Sequence, residues 1–250
     1  GYESYKKKFD EIIEHIKSGD TYLLNLTAPT KINTDLILKE IYNCANAHYK
    51  LRYKDEFVCF SPEKFVRIKG STIHTYPMKG TIDASIEDAK NKILHNEKEM
   101  AEHTMVVDLL RNDLSIVASN VKVEDFRYVQ KIDSGEKELL QVSSHISGSV
   151  GDDWHERIGD ILSSLLPAGS ISGAPKKSTL DIIETIENYD RGFFSGVFGV
   201  YDGKTLDSGV MIRFIEKTKD GYIYKSGGGI TLDSDAQSEY NELLDKVYLP

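Results

Sequence analysis

The sequence predicts an α+β fold. Helical and strand-like periodicities are mixed along its 250 residues without the strict βαβ succession of a parallel-sheet protein. A composition of 40% hydrophobic and 28% charged residues suits one large domain, or two small ones, with a real core.

From the N-terminus, Phe9, Ile12, Ile13 and Ile16 form a helical stripe that ends near Gly19-Asp20. The run TYLLNLTAPTKI then alternates like a strand, and residues 35–49 read as a helix. Strand-like runs follow at 57–60, 65–68 and 71–76, the last two joined by a Lys69-Gly70 turn. Residues 86–112 are helical, in two pieces; strands are expected at 121–129 and 141–150, and a helix at 155–165. A Gly-rich loop, Ala168 to Lys176, runs into a further helix, with Pro175 suited to its first turn. Strands at 194–201, 207–215 and 222–226 precede Gly227-Gly228-Gly229 and a last helix, started by a Ser234/Gln237 capping box. With no internal repeat, low-complexity linker or clear boundary, residues 1–250 read as a single domain.

A net charge of −9 argues against a nucleic-acid-binding surface. Cys44 and Cys59 have no metal-ligand spacing and are too few for a disulfide framework, so reduced thiols in a cytoplasmic protein are expected. No apolar run is long enough to span a membrane and no signal peptide is visible. The chain starts at Gly1 without a methionine, which leaves room for an upstream segment.

Two Glu-x-x-Glu pairs carry most of the chemical information: Glu99/Glu102 and Glu239/Glu242. Residues three apart on a helix share a face. Val106, Leu109 and Leu110 fall on the face of the first pair, so its carboxylates point where the helix is apolar. Glu239, Glu242 and Lys246 flank the apolar stripe of the last helix. Taken alone, each pair is most simply surface charge or salt-bridge material. If they converge, they suit Mg²⁺, which favours a few carboxylates, water and an anionic substrate.

Other segments handle charge too. A Gly-rich turn opening a helix suits an anion, and Lys176 adds a cation there, although an ordinary tight loop explains the same residues. The segment is neither a P-loop nor a dinucleotide fingerprint. Gly227-Gly228-Gly229 permits close backbone approach, and the guanidinium fork of Arg213 suits a carboxylate. Lys79 is a solvated loop lysine by composition, yet against apolar surroundings and other cations a lysine becomes a nucleophile. The histidines form no zinc pattern; His95 and His103 read as outer groups of a site or as plain surface residues. No Gly-x-Ser-x-Gly elbow or glutaminase-like cysteine setting is present.

Together these segments resemble one family, the chorismate-utilising enzymes. GDTYLLNLT, FSPEKFVRI, YPMKGT, KEMAEHTMVVDLLRNDL, PAGSISGAPK, RGFFSGVFGVY, IRF, SGGGI and DSDAQSEYNELLDK stand in family order and span nearly the whole chain. The resemblance implies two β-sheets packed between helices. It implies Mg²⁺ held mainly at Glu102 and Glu242, with Glu99 and Glu239 in support. Arg213, Gly227, Gly229 and Lys246 would receive the enolpyruvyl side of chorismate; Ser170, Gly80 and Thr81 would lie by the ring carboxylate. Lys176 joins Lys79, Glu99 and Glu239 among the expected catalytic groups. Lys79 decides within the family: a Lys in Pro-x-Lys-Gly-Thr marks aminodeoxychorismate synthase component I, where anthranilate, isochorismate and salicylate synthases usually carry Ala. The implied partner is a glutamine amidotransferase subunit that supplies ammonia. Two positions depart from the pattern: Gln141 stands where many members have His, and Phe194 where anthranilate synthases have an aromatic hydroxyl. The resemblance also implies that the N-terminal region of typical members, which carries a tryptophan site and much of the amidotransferase contact, is absent or truncated here. The alternatives are an anthranilate synthase component I and a catalytically silent chorismate-binding subunit.

Overall fold

The computed structural model describes residues 1–133 and 138–248. The chain opens with α1 (Tyr2–Lys17), β1 (Leu23–Ile32), α2 (Leu38–Cys44), β2 (Tyr49–Tyr53) and β3 (Phe57–Ser61). Next come β4 (Lys64–Lys69), β5 (Thr72–Thr75), β6 (Met78–Asp83), α3 (Ala89–Leu94) and α4 (Glu97–Val117). A hairpin of β7 (Ser119–Asp133) and β8 (Glu138–Ser149) leads through a 3₁₀ turn into α5 (Ile158–Leu165). Then follow α6 (Gly169–Ser172), β9 (Gly173–Ala174), α7 (Lys176–Glu187), β10 (Val197–Tyr201) and β11 (Thr205–Val210). The chain closes with β12 (Phe214–Thr218), β13 (Gly221–Ile230) and α8 (Ala236–Asp245). Helices accompany two antiparallel sheets, so the class is α+β. Among the described residues, no helix is long and apolar enough to cross a membrane.

The residues group into two units. The first comprises 1–63, 167–198 and 209–250, and holds the sheet β2-β3-β12-β13-β1-β9. Its β3, FVCFS, is buried throughout because alternate side chains serve opposite faces. Val58 and Phe60 pack with Leu38 and Ile41 of α2, while Phe57 and Cys59 pack with Phe194, Met211 and Phe214. On β1, Leu24 and Leu26 meet Phe9 and Ile12 of α1, Ile182 and Ile186 of α7, and Leu243 of α8. Each such side chain contributes about 1.5–3 kcal/mol of burial. One buried carboxylate, Glu187, ties α7 to β1. It accepts from the Thr27 amide at 2.7 Å, the Thr27 hydroxyl at 2.8 Å and Arg191 Nη2 at 2.6 Å. Arg191 also donates to the Ile171 and Asn25 carbonyls, both at 2.9 Å. A buried charge satisfied this fully holds the α6 turn in place.

The second unit comprises 64–166 and 199–208. Its sheet runs β10-β11-β4-β5-β8-β6, with β7 also on β8. Helix α4 packs against β6, β7, β8 and α5, burying His103, Val107, Asp113 and Leu114. The Asn96 side chain caps it by accepting from the Glu99 amide at 3.0 Å. Arg127 donates to the Leu94 and Ile93 carbonyls and so satisfies the end of α3.

Several elements differ from the sequence expectation. The helix at 35–49 is only Leu38–Cys44; beyond Ile41 the stretch buries the small Ala45, with Tyr42 and Ala47 only partly buried against the same core. The 207–215 run breaks at Met211–Arg213, where the chain passes from one sheet to the other and Arg213 takes φ 53°. Gly227-Gly228-Gly229 lies inside β13, opposite Thr27, Leu26 and Asn25 of β1. A Cβ at Gly227 would come 2.5 Å from Thr27 Cγ2, so the glycines permit strand approach rather than a turn. Asp235, one residue after Ser234, caps α8 by accepting from the Ser238 amide at 2.9 Å.

Candidate active site

In the first unit, the charged face of α8 lies against the bare backbone of β13. A Cβ at Gly228 would sit 3.5 Å from Glu239 Oε2 and 3.7 Å from Lys246 Nζ. Lys246 donates to the Gly227 carbonyl at 2.8 Å and pairs with Glu242 Oε1 at 2.6 Å, one turn back. Glu239 is only 8% exposed and accepts from Ser234 Oγ at 2.8 Å. Ser234, expected as a cap, thus spends its hydroxyl on the buried carboxylate. Arg213 donates from Nη1 to the Lys246 carbonyl at 2.9 Å, and its guanidinium lies 4.9 Å from the Tyr248 ring centroid. Its left-handed backbone is uncommon for a residue with a side chain, and such strain gathers at functional positions. Glu239, Glu242, Lys246, Arg213, Gly227 and Gly228 therefore form one neighbourhood.

Sequence reasoning missed Glu63. Ser170 donates to Glu63 Oε1 at 2.5 Å. Burial pushes the Glu63 carboxyl above its ordinary value, against the opposing pull of the Ser170 hydrogen bond and the Lys246 charge. A single Glu after Ser-Pro has no spacing partner to mark it. The one available signal was its place in the short link after β3, a strand buried on both faces. Gly228 was named only as part of the glycine run, and not singled out as a binding position, because the faces of β13 depend on its register with β1.

Other expected residues have surroundings of their own. Phe194 is 4% exposed in the aromatic core, its ring centroid 6.0 Å from that of Phe214. Lys176 opens α7 directly after Pro175. Gly173 of the Gly-rich loop is there for packing: it has φ 136°, and a Cβ would lie 1.9 Å from the Leu23 carbonyl oxygen. At Gly229 a Cβ would meet Leu23 Cδ1 at 3.0 Å, on the β1 side.

The second unit repeats the pattern of α8 and β13 with α4 and β6. Lys79 Nζ is 2.8 Å from Glu102 Oε2, with side chains 32% and 13% exposed, and Lys98 stands 3.8 Å from Glu102 Oε1. Gly80 has φ 89°, and a Cβ there would lie 2.9 Å from Glu99 Oε2. In each pair, then, one glutamate meets a lysine and the other lies by a glycine. Thr81 faces Gln141 across the β6–β8 pairing. His103 is fully buried, its Nε2 2.7 Å from Ser144 Oγ, and burial pushes its pKa down to about 4. His95 is exposed. Among the described residues, no three His, Cys, Asp or Glu side chains group as metal ligands. Each unit alone presents two carboxylates with oxygen donors only, a set suited to a hard cation that shares its sphere with substrate and water.

Comparison with known proteins agrees on one family. The model of the chorismate binding enzyme family matches residues 1–249. The chain is 52% identical over 249 residues to an uncharacterized PabA-like protein of Haemophilus influenzae, covering 100% of this chain and 76% of that protein. It is 31% identical over 261 residues to aminodeoxychorismate synthase component 1 of Bacillus subtilis, covering 98% of this chain and 54% of that one. The crystal structure of anthranilate synthase component I from Streptococcus pneumoniae TIGR4 superposes with a TM-score of 0.81 at 26% identity. The superposition covers 99% of this chain and 57% of that one.

Proposed function

The chain belongs to the chorismate binding enzyme family, and from that premise we propose that it aminates chorismate at C4. It would act as component I of an aminodeoxychorismate synthase and form 4-amino-4-deoxychorismate for 4-aminobenzoate and folate synthesis. The observation that carries this reading is Lys79, 2.8 Å from Glu102 on a strand beside α4. By resemblance, sister enzymes have Ala there. In the proposed reaction the Lys79 amine attacks C2 and loses a proton, both ring double bonds shift toward C4, and the C4 hydroxyl departs as water once protonated. Ammonia then attacks C4, both double bonds return to their first positions and the lysine leaves C2 as the amine. Arg213 and Lys246 would receive carboxylate, and Ser170 would face the ring carboxylate. For Mg²⁺ the proposed ligands are Glu102 and Glu242, with Glu99 and Glu239 in support. When bound, Mg²⁺ would neutralise and orient the substrate's carboxylate.

Departing hydroxide needs a proton, and burial favours the protonated form of the Glu63 carboxyl. We assign that role to Glu63. Glu63→Gln is expected to lower turnover by about 10²–10⁴-fold with little change in KM. The sign of the pH dependence follows from the raised value. Glu63 is protonated below it and ionised above it, so the wild-type rate at fixed free ammonia falls as pH climbs through it. A Glu63→Gln variant with the wild-type rate and alkaline limb removes this assignment.

Nitrogen should come from a partner amidotransferase, since neither Cys44 (exposed) nor Cys59 (buried in β3) has a glutaminase setting. Incubation with chorismate, Mg²⁺ and ammonium at alkaline pH, followed by mass and fluorescence of the product, tests the reading. Aminodeoxychorismate is expected with ammonium, and nothing with glutamine until a separate glutaminase is added. Anthranilate as product, or glutamine hydrolysis by the chain alone, overturns it. The anthranilate alternative draws on the superposition with the Streptococcus pneumoniae enzyme; Lys79 weighs against it.

A further inference from the structure

A pocket of about 360 Å³ opens between α1, β1 and α8 of the first unit. That volume falls at the lower end of the range for sites that enclose a small molecule. The strand pairing creates it. Past Leu24, β1 pairs with β13 on one side only, because β9 begins at Gly173, where α6 ends. Pro29 has no amide to offer a neighbouring strand and suits this open edge. Across from the edge, α8 supplies Tyr240 and Leu243 as an apolar wall. The Tyr240 ring is set by α1, its centroid 5.4 Å from that of Tyr2 and 5.3 Å from that of Tyr5.

The lining runs against the charge of the chain. The protein carries a net −9, yet Lys8 and Lys31 line this pocket and no Asp or Glu does. Lys8 Nζ donates to the Glu187 carbonyl at 2.5 Å, which holds the ammonium at the end of α7. An ammonium has three donors, so two are left for an occupant. The Glu187 carboxylate is matched by Thr27 and Arg191, so it does not consume the Lys8 charge. The glutamates of α8 are turned elsewhere, Glu239 toward Gly228 and Glu242 toward Lys246. Tyr5 also lines the pocket; it is 6% exposed, and its hydroxyl has no hydrogen-bond partner among the described residues. Buried polar groups are normally paired, so this wall keeps one that the protein itself does not satisfy.

We propose that this pocket binds a small aromatic carboxylate at a place separate from the chorismate site: Lys8 and Lys31 receive the carboxylate, and the ring packs on Ala28, Tyr240 and Leu243. Both halves of the lining set this class. A bare inorganic anion would leave the apolar wall unused, and an uncharged ring would leave two lysines unmatched. Tyr240 and Leu243 share α8 with Glu239 and Glu242, so an occupant bears on the helix that carries those carboxylates.

The test titrates 4-fluorobenzoate into the full chain, followed by fluorine NMR, with 4-fluorobenzamide as the uncharged counterpart. Saturable binding of the acid at about 1 mM or tighter is expected, with the amide about tenfold weaker or more. Lys8→Met and Lys31→Glu should each weaken the acid by about five- to tenfold. Saturating chorismate with Mg²⁺, and no ammonia, should leave the acid bound, whereas an acid seated on Arg213 and Lys246 would be displaced. Absence of saturable binding, equal affinity for acid and amide, wild-type affinity in Lys31→Glu, or displacement by chorismate would each overturn the proposal. Should Lys8→Met fail to fold, because Lys8 also holds the end of α7, the exposed Lys31 and the amide comparison still decide. The titration needs no turnover, so a wild type that makes anthranilate removes the C4-amination reading alone.

Discussion

Lys79→Ala is expected to bind chorismate yet lose C4 amination by about three orders of magnitude or more, as removal of a covalent nucleophile does in other enzymes. The structure sharpens the test. Nζ lies 2.8 Å from Glu102 Oε2, and a lysine in an ion pair has no lone pair to offer. The nucleophile must therefore leave Glu102 before it attacks. Lys79→Arg separates the two roles, because arginine keeps the charge and the contact to Glu102 but supplies no nucleophilic amine. Both variants should be equally inactive in C4 amination. Ammonia-starved wild type incubated with chorismate should carry an adduct that maps to Lys79 by intact-protein and peptide mass. A Lys79→Arg variant that makes aminodeoxychorismate normally would reduce Lys79 to a counter-ion of Glu102. Lys79→Ala is also expected to let ammonia or water reach C2, which would appear as anthranilate-type or isochorismate-type products.

What the sequence could reveal followed from whether the governing interaction was local. The α1 stripe of Phe9 and Ile12, the β4–β5 turn at Gly70 and the α4 glutamates all obey a fixed period or a turn rule, and the structure places them accordingly. Residues 86–112 divide into two helices, and Asn96 marks the start of the second by capping it. The less legible features are set by distant partners. The β13 glycines look like a turn until the register with β1 shows strand backbones in close approach. Arg213 lies in a continuous apolar run, and only the passage between sheets explains its left-handed backbone. Glu63 and Ser170 are 107 residues apart, so no spacing rule connects them. His103 reads as surface or as an outer group because the Ser144 that claims its ring is 41 residues away. Of the α4 face expected from Val106, Leu109 and Leu110, the deepest positions are in fact His103, Val107 and Leu114, a shift of a fraction of a turn.

Glu102→Gln and Glu242→Gln should each cut turnover by roughly 10²-fold or more and raise the Mg²⁺ concentration needed for half activity. An amide keeps the shape of the side chain but withdraws the charge that a hard divalent cation requires. The two substitutions nevertheless disturb different surroundings. Glu242 is half exposed and its lysine, Lys246, also donates to the Gly227 carbonyl, so Gln at 242 leaves that lysine a partner. Glu102 is 13% exposed and holds Lys79, so Gln at 102 removes a metal ligand and releases the proposed nucleophile together. Those effects oppose each other if Glu102 is merely a clamp on Lys79, and they separate in a titration. As a ligand, Glu102→Gln weakens Mg²⁺ binding measured by calorimetry in the presence of chorismate, and excess metal restores only part of the rate. As a clamp alone, the same variant keeps wild-type Mg²⁺ affinity, and Lys79 becomes more reactive toward acetylation. Full wild-type activity in chelator, or unchanged Mg²⁺ dependence in both variants, would remove the metal from these carboxylates and leave them as the counter-ions of Lys79 and Lys246.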